Sequence, residues 1–358
     1  MRFGISIYPG LELSGAEQRA LLRLASARGV TRLFTSLHLP ETKPESFIAE
    51  GRALLQAARD LGFDIIADVS PAALKTLGLE RFEADAFAAF GIRTLRLDDG
   101  FSPAEIARFS HNAVGLRLQL NASTLNRSDL DELKSLGANF SHFDALHNFY
   151  PRPGTGLSLS FFRQQNDILG QYGLSVGAFI SSSARRRPPL YAGLPTLEFH
   201  REMPISLAAR HLAALGVESI FIGDERPSEE ELSQLTAIDP DVIGLRAQIF
   251  PAGKPLREFL RQPFTARPDV ARDAIRTLES RERSRRLSPI VPANTVARLY
   301  GAVTLDNCEY PRYAGELQII KRPQPADPRT NVIAQVVPEE HFLLSLITPG
   351  KKFTFYFE

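Results

Sequence analysis

The first two thirds of the chain alternate short apolar runs, rich in β-branched residues, with stretches whose apolar residues recur at helical spacing. The short runs predict eight strands, at 3–8, 32–37, 64–69, 94–98, 114–120, 139–145, 174–180 and 219–223. The stretches between them predict helices at 15–27, 44–61, 102–109, 128–136, 158–172, 204–215 and 228–235. Several predicted helices are followed by a glycine, which favours the left-handed conformation that ends a helix: Gly29, Gly62, Gly91, Gly137, Gly173 and Gly216.

Eight βα units within about 235 residues predict a (β/α)₈ barrel, known as a TIM barrel. A doubly wound open sheet is the alternative. It should carry a glycine-rich phosphate-binding turn after an early strand, and the sequence has none. In a barrel the functional side chains lie at the C-terminal ends of the strands, here called the barrel mouth, so we expect the site there.

The character of the sequence changes near Asp239. Beyond it, apolar runs broken by proline and glycine predict strands at 242–249, 295–305, 314–321, 331–337, 341–347 and 352–357, while a helical pattern survives mainly at 268–286. The proline-rich segment 321–325 is typical of a connector. We therefore predict two domains, a catalytic barrel at 1–238 and a smaller, mostly β, barrel-like domain at 239–358.

Composition excludes several classes of protein. The net charge of +1 gives no reason to expect a nucleic-acid or membrane partner. Cys308 is the only cysteine, which excludes an intramolecular disulfide framework and a multi-cysteine metal site. No run approaches the roughly 18 apolar residues of a membrane span, and the N-terminus resembles a strand rather than a signal peptide. We expect a soluble, cytoplasmic protein that could form a homo-oligomer.

Polar residues follow nearly every predicted strand, at the positions where a barrel carries its site. They are Tyr8, Ser36, His38, Asp68, Ser70, Asp98, Asn121, Ser123, His147, Asn148 and Asp224, together with the 181–203 loop that contains Glu198. Each acid alone is equally typical of an exposed helix cap. Several acids that converge on one barrel mouth favour a catalytic or binding site.

Asp98 follows directly on the predicted fourth strand, in the string Leu95-Arg96-Leu97-Asp98-Asp99. Neighbouring strand residues point to opposite faces, so only one of the two aspartates aims at the mouth, and we favour Asp98. The structural alternative is a salt bridge from Asp98 to Arg96 or Arg117 inside the barrel.

The loop after the sixth strand, 147–158, combines an imidazole, an amide, a phenol and a guanidinium with two prolines and two glycines. Such a loop is typical of a segment that must hold polar groups in fixed positions. Arg152 in this loop and Arg201 in the next are the better candidates for binding an anion. The arginine runs 185–187 and 281–286 are more typical of solvated faces, with an anion clamp as the alternative.

No metal and no cofactor are predicted. Some of the histidines could reach the mouth, namely His38, His142, His147, His200 and His211, but no His-x-His or His-Glu-x-x-His spacing occurs. A Schiff-base enzyme would need a lysine at a strand end, and the lysines of the first half lie in predicted loops or helices. There is no P-loop.

A set of motifs spread over the whole chain resembles the bacterial 6-phospho-N-acetylmuramidase family. They are Thr35-Ser36-Leu37-His38, Leu95-Arg96-Leu97-Asp98, Leu120-Asn121-Ala122-Ser123-Thr124, His147-Asn148-Phe149-Tyr150-Pro151-Arg152-Pro153, Gly193-Leu194-Pro195-Thr196-Leu197-Glu198 with His200-Arg201, Gly223-Asp224, Thr304-Leu305-Asp306-Asn307 and Arg312-Tyr313-Ala314-Gly315-Glu316-Leu317. The resemblance implies a TIM barrel followed by a cyclophilin-like β domain. It also implies hydrolysis of the β-1,4 bond of the phosphorylated disaccharide MurNAc-6-phosphate–GlcNAc, in cytoplasmic recycling of peptidoglycan. One departure is Arg187-Pro188-Pro189, where the family often has Arg-Gly-Pro.

Under this resemblance the catalytic candidates are Asp98, Glu198 and Asp224, with Asp68 behind them. Glycoside cleavage ordinarily needs one carboxylic acid and one carboxylate, and our hypothesis makes Glu198 the acid and Asp98 the nucleophile or base. The acetamido carbonyl of the substrate could replace the protein nucleophile. The expected substrate-binding residues are Tyr8, Ser36, His38, Asp68, Asn121, His147, Asn148, Tyr150, Arg152, His200, Arg201 and Arg312, with Arg298 as a further candidate for the phosphate.

Two other functions stay open from sequence. A barrel epimerase or isomerase acting on a phosphorylated sugar would bind a divalent metal and lose activity on chelation. A non-catalytic protein that binds a cell-wall sugar would show tight binding without turnover. The expected partner is in each case a small sugar ligand rather than a macromolecule.

Overall fold

A computed structural model describes residues 1–36, 44–70, 82–97, 100–250, 253–287 and 289–357. The chain divides into two compact units, the first comprising Met1–Leu212 and Gly216–Ile238, the second Ala213–Leu215 and Asp239–Glu358. Among the helices in these ranges, none has both the length and the apolar composition that crossing a membrane requires.

The first unit is a closed barrel of eight parallel strands, which confirms the predicted TIM barrel. Its strands are β1 (Arg2–Ser6), β2 (Arg32–Ser36), β3 (Asp64–Val69), β4 (Ile92–Leu97), β5 (Arg117–Asn121), β6 (Phe143–Leu146), β7 (Val176–Ile180) and β8 (Ser219–Ile222). The barrel closes where β1 pairs in parallel with β8, from Arg2 opposite Ser219 to Ile5 opposite Ile222. An open doubly wound sheet has no such pairing, so the alternative prediction is wrong.

Helices connect consecutive strands. They are α1 (Gly15–Ala27), α2 (Pro44–Asp60), α3 (Ala84–Ala89), α4 (Pro103–Phe109), α5 (Arg127–Ser135), α6 (Leu159–Gln171), α7 (Ile205–Ala214) and α8 (Glu229–Thr236). Several begin with reciprocal caps, for example Ser14 with Glu17 before α1 and Ser228 with Glu231 before α8. All six glycines predicted to end helices have φ between 73° and 82°. Local capping chemistry therefore sets most helix boundaries.

An aromatic and aliphatic cluster fills the barrel near its mouth. It comprises Tyr8, Phe34, Ile66, Leu146, Phe179 and Phe221, with Leu11 and Phe149 packed against it. Gly4 on β1 makes room for this layer, since a Cβ atom there would lie 2.2 Å from Cδ1 of Phe221. Phe149 packs edge-on against Phe179, with ring centres 5.2 Å apart. The barrel is therefore closed beneath the mouth, and a ligand would lie above this layer.

The second unit is a seven-stranded, mostly antiparallel sheet in the order β10-β15-β9-β14-β12-β13-β11. Its strands are β9 (Val242–Ile249), β10 (Phe264–Thr265), β11 (Ala274–Arg276), β12 (Ala302–Asp306), β13 (Leu317–Ile320), β14 (Thr330–Val336) and β15 (Lys352–Phe357). The described helices of this unit are α9 (Lys254–Leu260) and α10 (Ser280–Arg283), with 3₁₀ turns at Ser284–Leu287 and Pro338–Leu346. The mostly β second domain is confirmed, and its cyclophilin-like character stays a prediction.

Three predictions in this unit are wrong in detail. The helical pattern at 268–286 is interrupted because Ala274–Arg276 pairs with β13, and only its end is helical. The predicted strand at 341–347 is a 3₁₀ turn that begins at Pro338, and Glu340 within it accepts the backbone N–H of Arg246 at 2.8 Å. The predicted strand at 295–305 is shortened to β12. At 274–276 pairing with a distant strand overrides the local helical pattern.

Candidate active site

Several predicted site residues lie at the barrel mouth, and two lie outside the part of the chain that the structure describes. Those two are His38 and Asp98. Arg312 and Arg298 belong to the second unit, where the carbonyl oxygen of Arg312 accepts a hydrogen bond from Arg281 and the Arg298 guanidinium donates to the carbonyl of Pro325. Their predicted contact with a substrate therefore stays a prediction.

A polar group on β3, β4 and the loop after β6 brings together two predicted residues, Asp68 and Asn148. Arg96 joins them, since its Nη1 donates to Oδ1 of Asp68 at 2.8 Å and its Nη2 donates to Oδ1 of Asn148. Asp68 shares the inward face of β3 with Ile66, two residues earlier, because side chains alternate along a strand. The Asp68 side chain retains 17% exposure, so this group faces the mouth.

Other predicted binding residues take varied positions around the mouth. Ser36 ends β2 opposite Asp68 and is buried. Asn121 ends β5, is half-buried, and its Oδ1 accepts the backbone N–H of Ser123 at 3.1 Å. In the loop after β6, Tyr150 is half-buried and Arg152 is exposed. Of these, Asn121, Tyr150 and Arg152 keep side-chain surface that a ligand could reach.

Glu198 does not have the environment of a general acid, contrary to the hypothesis from sequence. Its carboxylate accepts two hydrogen bonds from Arg201, from Nε to Oε1 and from Nη2 to Oε2, both at 2.7 Å. It also accepts the backbone N–H groups of Gly154 and Gly156, at 2.9 and 2.7 Å. The hydrogen bonds from Arg201, followed by those from the two glycines, lower the pKa of Glu198 to about 2. A carboxylate held ionised in this way lacks the proton that an acid must donate.

Arg201 is likewise committed within the protein. Besides Glu198, its guanidinium donates to the carbonyl oxygens of Ala192, Gly193, Tyr150 and Arg152, at 3.0 to 3.3 Å. The predicted role of Arg201 as a phosphate ligand is therefore not supported, because its donors are already used. The Glu198–Arg201 pair instead joins the loop after β6 to the loop after β7.

Two predicted binding histidines are buried away from the mouth. Leu146 points into the barrel, so the next residue, His147, points outward between barrel and helix, where its ring accepts or donates to Ser123 and Asn166 at 3.1 and 2.9 Å. Burial lowers the pKa of His147 to about 4. His200 is fully buried, with Nε2 2.8 Å from Nδ1 of His211. Both rings are buried in the folded chain, so their positions do not support the predicted contacts with a ligand, which stay predictions.

Tyr8 and Asp224 are also fully buried. The Tyr8 hydroxyl donates to the carbonyl of Gly223 at 3.2 Å, and burial raises its pKa. The Asp224 carboxylate accepts the backbone N–H groups of Ser182 and Arg187, each at 2.8 Å, and burial raises its pKa as well. These contacts hold the loop after β7, and the catalytic role of Asp224 stays a prediction.

Two further residues lie beside Tyr8 and Asp224: Glu225, which was not among the predicted site residues, and Arg187, which belongs to the arginine run with an anion clamp as its alternative role. One oxygen of Glu225, Oε1, accepts the backbone N–H of Tyr8 at 2.9 Å, and burial raises the pKa of this carboxyl to about 7. The Arg187 guanidinium lies over the rings of Tyr8 and Phe149, with Cζ 4.4 and 5.5 Å from the ring centres. Glu225 follows Asp224 directly, so selecting one more polar residue after the eighth strand would have included it.

Among the described residues, no three histidine, cysteine, aspartate or glutamate side chains cluster as metal ligands would. The residues described above offer proton transfer and binding of polar or anionic groups. A carboxyl with a pKa near neutrality can donate a proton, and the Arg96–Asp68–Asn148 group and Arg187 can bind hydroxyl and oxyanion groups.

Comparison with known proteins places both units in one family. Residues 3–237 match the family model described as 6-phospho-N-acetylmuramidase, N-terminal, and residues 248–356 match the one described as 6-phospho-N-acetylmuramidase, C-terminal. No significant match is found among curated protein sequences.

Two solved structures are similar along their full length. A crystal structure of an uncharacterised Bacillus cereus protein is 30% identical and covers 99% of each chain with a TM-score of 0.88. A conserved Enterococcus faecalis protein of unknown function is 32% identical, covering 100% of this chain and 97% of the other, with a TM-score of 0.72. With both family models matched in order, the chain belongs to the 6-phospho-N-acetylmuramidase family of glycoside hydrolases.

Proposed function

We propose that this protein hydrolyses the β-1,4 bond of MurNAc-6-phosphate–GlcNAc in the cytoplasmic recycling of peptidoglycan. The observation that carries the proposal is the match of both units, residues 3–237 and 248–356, to models named for this activity. The barrel unit is compatible with it, because it offers a carboxyl that can hold a proton, Glu225, and a polar group of Arg96, Asp68 and Asn148 suited to sugar hydroxyls.

Glu225 is the proposed general acid in place of Glu198. A glycosidase acid must be protonated near neutral pH, and burial raises the pKa of Glu225 to about 7, whereas that of Glu198 is lowered to about 2. The Tyr8 N–H occupies Oε1 of Glu225, which leaves Oε2 to carry the proton to the leaving oxygen. Glu225 is 2% exposed, and a buried carboxyl with a raised pKa is a candidate catalytic acid.

The second carboxylate is proposed to be Asp98, which follows Arg96 by two residues in the sequence. It would attack the anomeric carbon or activate water, or it would orient the substrate's own acetamido carbonyl if that group attacks. Asp68 is the alternative for this role, since it lies near the end of β3 with 17% side-chain exposure and pairs with Arg96.

Binding of the sugar is proposed to involve residues that keep accessible side-chain surface. Asn121 and Asn148 can hydrogen-bond hydroxyl or acetamido groups, and Tyr150 can pack against a sugar ring. Arg152 is exposed after β6 and could reach an anionic substituent of the sugar. Ser36, His38 and Arg312 stay proposed contacts.

The decisive experiment is incubation of the purified protein with MurNAc-6-phosphate–GlcNAc and, separately, with the unphosphorylated disaccharide, followed by mass spectrometry of the products. Cleavage of the phosphorylated substrate alone is the expected result. Cleavage of neither, with tight binding of the disaccharide, would favour a binding protein. A rearranged sugar product that disappears on chelation would favour an epimerase or isomerase.

A further inference from the structure

Arg187 is a buried cation with an unused hydrogen-bond donor. Its side chain belongs to the buried set, with the residue only 9% exposed, and its Nη1 nitrogen has no hydrogen-bond partner among the described residues. Taking a guanidinium out of water without a partner is costly, so native structures usually pair such groups. Other buried arginine nitrogens in the described part of the chain also lack a hydrogen-bond partner, so the unpaired N–H of Arg187 is an argument for a ligand only together with its position beside the barrel mouth.

The position of this guanidinium is set by the protein around it. The backbone N–H of Arg187 donates to Oδ1 of Asp224 at 2.8 Å, which anchors the residue after β7. Cζ lies 4.4 Å from the centre of the Tyr8 ring and 5.5 Å from that of Phe149. Aromatic rings stabilise the cation through its face, and the N–H groups in its plane remain for an acceptor. The group thus lies on the aromatic layer that closes the barrel beneath the mouth.

The neighbouring carboxylates, Asp224 and Glu225, make no hydrogen bond with Nη1 of Arg187. Asp224 uses both carboxylate oxygens on backbone N–H groups, and Glu225 uses Oε1 on the N–H of Tyr8. Within the guanidinium, Nε makes only a long contact of 3.4 Å with the carbonyl of Pro188. Arg201 differs from Arg187 in this respect, because it donates to one carboxylate and four carbonyl oxygens.

We propose that Arg187 binds an oxyanion of the sugar ligand at the barrel mouth, and this proposal rests on the function proposed above. Guanidinium binds phosphate and carboxylate alike, through charge-assisted hydrogen bonds. A 6-phosphomuramic sugar offers both groups, a phosphate ester and the carboxylate of its lactyl ether. The shared chemistry is an oxyanion that receives the Nη1 donor, and the experiment separates the two sources.

The test measures binding of four monosaccharides by isothermal titration calorimetry: MurNAc-6-phosphate, GlcNAc-6-phosphate, MurNAc and GlcNAc. The proteins compared are wild type, Arg187→Gln, Arg187→Lys and the control Arg185→Gln. Arg185 lies in the same loop but its side chain is 54% exposed and is 3.8 Å from Glu12. Thermal unfolding with and without inorganic phosphate is recorded for each protein and also verifies that each variant is folded.

The expected result is a loss of at least about tenfold in the affinity of Arg187→Gln for the sugars that carry the recognised anion, with no change for GlcNAc. Loss with GlcNAc-6-phosphate identifies the phosphate, and loss with MurNAc identifies the carboxylate. Arg187→Lys should lose less, since it keeps the charge. Arg185→Gln should bind like the wild type.

Other outcomes separate this proposal from the proposed function. Equal affinities in wild type and Arg187→Gln, or an equal loss for all four sugars including GlcNAc, would overturn the oxyanion role while leaving the function standing. A second outcome is that the wild type neither binds nor cleaves any of the sugars, yet inorganic phosphate raises its unfolding temperature and does not raise that of Arg187→Gln. In that case the proposed function is wrong and the oxyanion site stands. If Arg187→Gln is unfolded, the same comparison is decided with Arg187→Lys.

Discussion

Glu198 and Arg201 form a two-point ion pair, in which Nε–Oε1 and Nη2–Oε2 are both 2.7 Å. The carboxylate also receives the N–H groups of Gly154 and Gly156, while the guanidinium donates to Tyr150 and Arg152. Both partners therefore bind the same loop, the one after β6, from the loop after β7. The pair therefore connects the loop after β6 with the loop after β7.

We expect Glu198→Gln and Arg201→Gln each to lower the free energy of unfolding by about 1–3 kcal/mol, since each leaves charged or polar partners unpaired. The double variant should be less destabilised than the sum of the two, with a coupling of about 1 kcal/mol or more. Urea unfolding of the four proteins measures this. If the destabilisation in the double variant equals the sum of the two single effects, the proposal that this ion pair joins the two loops is contradicted.

The same pair should appear in the acid dependence of stability. The pKa of Glu198 lies near 2 in the folded protein, below its ordinary value of 4.5, so its contribution is complete above pH 4.5 and is lost as the pH falls toward 2. Glu198→Gln should therefore be closest to wild type in stability at the lowest pH at which both proteins remain folded. A stability difference that does not shrink as the pH falls would argue against this ion pair.

Glu225→Gln should lower kcat/KM for the phosphorylated disaccharide by about 10²–10⁴-fold, because an amide cannot donate the proton. With a pKa of about 7, Glu225 loses that proton as the pH rises, so wild-type activity should decline above pH 7. The comparison variant is Asp224→Asn, a change at the adjacent residue that should lower stability. Unchanged activity in Glu225→Gln, with intact folding by circular dichroism, would remove Glu225 from the mechanism.

The buried His200–His211 pair predicts sensitivity to mild acid. Burial lowers the pKa of His211 to about 4 and that of His200 well below its usual 6.5. The unfolded chain therefore binds more protons between about pH 4 and 6.5, and stability falls as the pH drops through that window, by about 1.4 kcal/mol per pH unit for each such histidine. Urea midpoints at pH 7 and pH 5 measure the slope.

His211→Gln should reduce this slope while keeping a hydrogen-bonding partner for His200. His111→Gln is the matched control, because His111 is exposed. A slope that is unchanged in His211→Gln, or reduced equally in both variants, would contradict the assignment.

Gly156→Ala should destabilise the protein, because the added methyl group would collide with Glu198 of the same ion pair. A Cβ atom at Gly156 would lie 2.6 Å from Oε2, 2.7 Å from N and 2.8 Å from Cα of Glu198, so backbone has to move. We expect a loss of about 1–3 kcal/mol in unfolding free energy. Gly170→Ala in α6 is the control, since nothing lies within 4 Å of its added Cβ and alanine should stabilise the helix slightly. Equal effects in both variants would contradict this steric explanation.

Most of the barrel follows from signals that lie close together in the chain. Helix α1 has the predicted limits because Ser14 and Glu17 cap its start and Gly29 follows its end. Helix α3 was not predicted, and its N-cap, Glu83, makes no side-chain capping bond. Where pairing joins distant segments, as between Ala274–Arg276 and β13, the local pattern fails.

The candidate site likewise has features that follow from local sequence and features that follow from tertiary contacts. Strand alternation and strand ends are local properties, and they are enough to bring Asp68 and Asn148 to one mouth. The hydrogen bonds of each acid and base depend instead on residues far away in the chain: Glu198 accepts from Gly154 and Gly156, Glu225 accepts from Tyr8, and His147 pairs with Asn166.

Residue type alone could thus locate a barrel and the end that carries its site, because backbone geometry and helix capping are decided over a few residues. It could not tell an acid that is ionised by an arginine from one that burial keeps protonated. Arg201 is three residues from Glu198 in the chain, but whether their side chains meet, and whether Glu225 is desolvated, depends on how the folded loops are arranged around them. For this reason we propose Glu225 in place of Glu198 as the proton donor, and Arg187 in place of Arg201 as the anion-binding residue.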